Sequence, residues 1–228
     1  MASDTESVAN TRERLLESAR EVFAEKGFSD ATVKEICEGA DANIASVNYY
    51  FGSKEELYAE AWQSAFQESL RAHPPDGGVS DDAPPEARLR GRIRAMVHHV
   101  ADEGNQAFRI ADKEMANPTC LLHEVQQECV QPLMEEMRAV IRELLGPKAT
   151  EKHVHFCQAS VAAQCFGMIR HIRMHRDSGR PQHPPMKYVI QDIDGYAEHV
   201  CRFALAGIRA TRERVESGNA ERAAEAIN

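Results

Sequence analysis

The sequence predicts an all-α protein, with a small N-terminal three-helix unit followed by a larger helical part. Three observations predict it. Apolar residues recur at steps of three and four along most of the 228 residues, and no stretch alternates with the period a strand requires. Polar starters, Thr32, Asn43 and Ser53, stand just before such periodic runs. Glycine and proline break the pattern about once per helix length.

In chain order, residues 1–10 are polar and are expected to form a disordered tail. Residues 11–27 set Leu15, Ala19, Val22 and Phe23 on one stripe, and Gly27 is a C-terminal stop. Residues 32–40 place Val33, Ile36, Cys37 and Ala40 on one face. Thr32, with Glu35 three residues on, forms a capping box for that segment. The polar turn Asp41-Ala42-Asn43 follows, and Asn43 caps a second short segment, 44–51, with Ile44, Val47 and Phe51 on one face. Two helices of under three turns around such a turn read as a helix-turn-helix. The second would be the recognition helix of a DNA major groove.

Ser53, with Glu56 three residues on, starts a fourth helix over 53–72 that carries Leu57, Ala61, Trp62, Ala65 and Phe66. Residues 73–88 hold four prolines, two glycines and four acids, and are expected to be a mobile loop. Helices are predicted over 87–102, 106–116, 119–145, 151–175 and 188–214. Pro132 lies inside the third of these and predicts a kink or split near Cys129. The segment 176–186 is a Pro-rich connector, and 216–228 an Ala/Glu-rich tail.

Composition narrows the function. Hydrophobic residues make up 43% of the chain and aromatics 6%, ordinary for a soluble helical protein. No apolar run nears the ~18 residues of a membrane span, and the N-terminus has neither the basic start nor the apolar core of a secretory signal. Six scattered cysteines without a CxxC pattern fit reduced thiols in the cytoplasm. The net charge of −9 runs against a nucleic-acid binder, and residues 12–54 hold six basic side chains against eight acidic ones. Phosphate contacts must then come from a few placed groups rather than a basic field.

From residue 11 to 58 the segment resembles the TetR/AcrR family of bacterial transcriptional repressors, through Phe23, Gly27, Thr32, Val33, Ile36, Ala40, Tyr49, Phe51, Lys54, Glu55 and Leu57. Asp41 stands where the family usually has glycine, a place Asp fills by adopting a left-handed turn. Asn48 stands where it usually has tyrosine. The resemblance implies a DNA-binding domain over 11–56 and a ligand-sensing, dimerising domain over 57–215. The run Glu114-Met115-Ala116-Asn117-Pro118 and the later Val130-Gln131-Pro132 look like the CecR-type branch.

On this reading Ile44, Ala45 and Ser46 read base edges, while Thr32, Asn43, Asn48, Tyr50 and Lys54 contact the DNA backbone. Tyr49 is divided between packing and phosphate, and Phe51 is assigned to packing. The partners implied are a double-stranded DNA operator and an unknown small-molecule effector. The effector pocket is expected to be lined by Met96, His99, Phe108, Met115, Met137, Phe156, Phe166 and Ile169. A homodimer is expected through the last two long helices, whose small residues Ala159, Ala163, Gly167, Ala197, Ala204 and Gly207 permit close approach.

The chain offers no catalytic or cofactor pattern: no phosphate-binding glycine loop, no GxSxG and no nucleophile setting. His171 and His175, and the cluster His153, His155 and Cys157, fall short of the three or four placed ligands a metal site needs. Two other readings stay open: an α-helical adaptor that binds a partner protein, and a helical enzyme with a vestigial helix-turn-helix.

Overall fold

The computed structural model describes the backbone of residues 2–176 and 190–225, and the side chains of residues 10–167 and 190–218. Among these residues the fold is all-α, with nine helices and no strand: α1 (Ala2–Asp30), α2 (Val33–Gly39), α3 (Ile44–Phe51), α4 (Lys54–Ala72), α5 (Pro85–Ala101), α6 (Gln106–Ala116), α7 (His123–Leu145), α8 (Glu151–Arg176) and α9 (Ile193–Glu225).

The helices group into two compact units. Unit one comprises residues 1–72 and 103–131; unit two comprises residues 73–102 and 132–228. The sequence reading divides the chain at residue 57, whereas α4 and α6 both pack with α1 in unit one. The physical reason lies in the anchors they share. Trp62 Nε1 donates to the Ala107 carbonyl at 3.1 Å, and Asn105 Nδ2 donates to Ser69 Oγ at 2.9 Å. Tyr58 on α4 sits edge-on to Phe23 with ring centroids 4.8 Å apart, and its hydroxyl donates to Glu114 at 3.1 Å. Burial and this carboxylate raise the Tyr58 phenol well above its ordinary range.

Several boundaries differ from expectation. α1 starts at Ala2 and so takes in most of the segment expected as a tail; no glycine or proline interrupts it before Gly27. Gly27 does break it, at φ 75° and ψ −178°, a backbone region open essentially to glycine alone. α7 begins at His123 rather than 119, because Glu114 captures the preceding turn. Its Oε1 accepts from the Thr119 and Cys120 amides at 2.7 and 2.9 Å. Pro132 lies inside a continuous α7, and the division between the two units falls there. α9 begins at Ile193 and runs on to Glu225, so the expected tail extends a helix. Residues 177–189, most of the expected connector, lie outside the described residues.

Unit two packs α5 against α8 and α9. Its core joins Leu89, Ile93 and Val97 to Val140, Ile141, Val154, Val161, Val200 and Ile208. The loop before α5, expected to be mobile, folds tightly onto it. A Cβ on Gly77 (φ +64°) would meet the Gly91 carbonyl oxygen at 2.4 Å. Two glycines thus let loop and helix backbones touch.

Candidate nucleic-acid interface

The helix-turn-helix is built by local capping. Thr32 Oγ1 accepts from the Glu35 amide at 3.2 Å, and Glu35 Oε2 accepts from the Thr32 amide at 3.1 Å, a reciprocal capping box. The turn passes through Asp41 at φ 47°, the left-handed conformation expected where the family has glycine. Asn43 Oδ1 then accepts from the Ala45 amide at 2.9 Å and starts α3. Gly52, at φ 79°, ends α3, and Ser53 Oγ accepts from the Glu56 amide at 3.1 Å to open α4.

Long-range contacts fix the motif on α1. Buried Ser18 donates to the Ile36 carbonyl at 2.9 Å, and a Cβ on Gly39 would meet Ser18 Oγ at 2.4 Å. Val47 and Phe51 are buried, so α3 turns its other face to solvent. That face carries Ile44 (55% exposed), Ala45, Asn48 and Tyr49 (78% exposed), with Ser46 and Tyr50 half-buried. Tyr49 and Tyr50 meet edge to face at 4.9 Å, and the Arg12 guanidinium lies 4.8 Å over the Phe51 ring.

Lys54, expected at the DNA backbone, is engaged within the protein in this structure. Its Nζ donates to the Phe28 carbonyl at 2.6 Å and rests 4.3 Å over the Phe28 ring. Partial burial lowers its pKa, as expected for an ammonium drawn from water. This side chain is engaged in closing the turn behind Gly27.

Most nearby cations are paired. Lys26 bonds Glu35 at 2.7 Å, Arg12 pairs with Glu60, and Arg20 with Glu68 and Gln106. Lys34, which sequence reasoning missed, is the looser one: its 3.6 Å pair with Glu38 lies on exposed side chains and is worth little. Its place on the polar face of the first motif helix is the signal that singles it out.

The expected effector residues do not share one setting. Met96 and His99 are half-buried on α5, and Met137 is buried in the unit-two core. Burial, reinforced by His73, lowers the His99 pKa to about 4. Phe108 is half-buried on α6 in unit one. Met115 (69% exposed), Phe156 and Phe166 lie on the surface and do not line an interior pocket; apolar spacing marks a face without saying what covers it. Ile169, His171 and His175 lie outside the residues with described side chains. Phe156 joins Ser160, Gln164, Phe203, Gly207 and Thr211 around a groove on α8 and α9.

No group of three metal-binding side chains occurs among the described residues, and no described helix is long and apolar enough to cross a membrane. All six cysteines are unpaired, and Cys37, Cys165 and Cys201 are buried.

Comparison with known proteins matches this architecture. Residues 15–61 fit the model of bacterial regulatory proteins of the tetR family. Residues 85–208 fit that of the C-terminal domain of the HTH-type transcriptional dual regulator CecR. The CecR of Shigella flexneri is 29% identical over 170 residues, covering 68% of this chain and 76% of that protein. The HTH-type transcriptional repressor KstR2 of Mycobacterium tuberculosis is 37% identical over 98 residues, covering 41% of this chain and 48% of the repressor. The crystal structure of a TetR-like transcriptional regulator from Rhodococcus sp. RHA1 shares the fold with a TM-score of 0.63 at 17% identity, over 87% of this chain and 95% of that one. The chain belongs to the TetR family of transcriptional regulators, in the branch with a CecR-type C-terminal domain, a family of regulators rather than enzymes.

Proposed function

We propose that this chain acts in the cytoplasm as a homodimeric repressor. In this reading it binds a palindromic DNA operator and leaves it when a small molecule occupies the helices of unit two. The observation that carries the DNA half is the two-sided character of α3. Val47 and Phe51 hold it to the domain while Ile44, Ala45, Asn48 and Tyr49 face outward from a capped N-terminus. Ile44 and Ala45 suit thymine methyls, and Ser46 adds a polar reader. Asn43, Thr32, Asn48, Tyr50 and the α2 and α3 amides supply backbone contacts, with Lys34 as the mobile cation.

One recognition helix covers only a half-site, so a palindrome calls for two protomers. The exposed Phe156, Phe166 and Phe203 on α8 and α9 support that pairing. So do Gly167 and Gly207, where an added Cβ would meet nothing within 4 Å. Large apolar side chains left at the surface are what a second copy would cover. Release by ligand needs unequal affinity for two dimer states.

The paired cations favour one other reading, an adaptor whose α3 binds a partner protein. Fluorescence anisotropy with a labelled duplex from upstream of the gene, against a scrambled duplex, separates the two. The repressor reading expects selective, salt-sensitive binding saturating at one dimer per site, with altered site preference in Ser46→Arg. A dimer that selects no duplex from a random pool would sink it.

A further inference from the structure

Arg92 occupies an unusual position. It lies on α5 with only 9% of its surface exposed, beside the apolar core residues Leu89, Ile93 and Val97. Among the described residues its side chain makes one hydrogen bond, from Nη1 to Glu136 Oε2 at 2.7 Å. Glu136 is itself half in water, its side chain 53% exposed. Arg92 Nε is buried with no acceptor among the described residues. A guanidinium cannot shed its proton to escape this, and a buried donor left unsatisfied destabilises the fold.

The geometry of the unused donors is informative. Glu136 takes the end of the fork at Nη1, which leaves the side edge formed by Nε and Nη2. That edge is the one that grips a carboxylate through two parallel N–H donors. The same face of α5 presents Met96 and His99 at four and seven residues further on, an apolar and a neutral side chain beside the charge.

We propose that the effector is an organic anion, a carboxylate on an apolar body, received by the Nε–Nη2 edge of Arg92. The inference names the ligand class for the effector half of the proposed function, and rests on that reading. A water molecule would fill the Nε donor without also taking the Nη2 donor beside it. A carboxylate does both, in surroundings where charge-assisted bonds are strong.

The test is a thermal-shift titration of the full-length protein with two matched sets: octanoate, octanol and octylamine; benzoate, benzyl alcohol and benzylamine. At least one carboxylate should raise Tm while its alcohol and amine do not. Its apparent Kd should weaken at least tenfold in Arg92→Met and less in Arg92→Lys, which keeps charge without the fork. Glu136→Gln should preserve or strengthen the response, since it removes the competing negative charge while keeping an acceptor for Nη1; if Arg92→Met does not fold, Arg92→Lys and Glu136→Gln carry the test. Absence of a carboxylate-selective shift in the wild type, or an unchanged Kd in the Arg92 variants, overturns the proposal. Wild-type anisotropy with the operator duplex separates the two claims. Selective DNA binding without carboxylate selectivity removes only this inference, whereas failure to select any duplex removes the regulator reading.

Discussion

Lys54 Nζ donates to the carbonyl of Phe28 at 2.6 Å, across 26 residues of sequence, while lying over the same residue's ring. One cation thus closes the turn after Gly27 and joins the start of α4 to the end of α1. Lys54→Met should remove a charge-assisted bond and a cation–π contact, lowering stability by about 1–2 kcal/mol in urea denaturation. If Lys54 served DNA alone, duplex affinity would fall with no change in the denaturation midpoint.

Acid should weaken the fold in two separable steps. His99 is held neutral in the folded protein, its pKa lowered from 6.5 to about 4. Between those values the unfolded chain takes up a proton that the folded chain refuses, so stability present above pH 6.5 is lost as pH falls to about 4. Glu35, bonded by Lys26 and Thr32, and Glu151, bonded by Arg142 and Arg138, are each lowered from 4.5 to about 2. Their contribution is present above pH 4.5 and is lost toward pH 2; both pairs lie at the surface, so salt should shrink it. Melting curves from pH 7 to 2 check this. His99→Gln should flatten only the upper step and Glu35→Gln part of the lower one.

Adjacent glycines in the loop before α5 should respond very differently to alanine. Gly78, at φ +73°, has nothing within 4 Å of an added Cβ, so Gly78→Ala should cost about 1–2 kcal/mol for the left-handed backbone alone. Gly77→Ala adds a collision with the Gly91 carbonyl at 2.4 Å and should cost at least about 3 kcal/mol. Equal midpoints for the two variants in denaturant would mean the loop does not pack on α5.

Phe203, 61% exposed on α9, tests the proposed dimer. Phe203→Glu should leave the helical circular dichroism unchanged yet shift sedimentation to the monomer mass, because it plants a charge in an apolar face without touching the core. A dimer of wild-type affinity in this variant would move the interface elsewhere.

The parts legible in the sequence are those whose physics is local. Thr32 with Glu35 and Asn43 with Ala45 act within three residues, so the caps, the turn and α3 follow from residue order. What joins distant residues was hidden. Glu114 enters the sequence reading only as part of the run at 114–118, yet it holds Tyr58 and the turn at Thr119. Nothing in the sequence singles out Arg92, since charge patterning cannot reveal that neighbours bury it. Phe156 fails in the opposite sense: periodicity groups apolar residues on a face, and cannot say that the face stays uncovered within one chain.

The carboxylates that hold Lys26, Arg12 and Arg20 have an effect beyond the single molecule. Cations already matched at home would release few counterions on random duplex, so for the proposed repressor the chromosome at large would be a poor sink. A larger fraction of its copies would then remain in free solution, and on that reading fewer copies per cell would keep one operator filled.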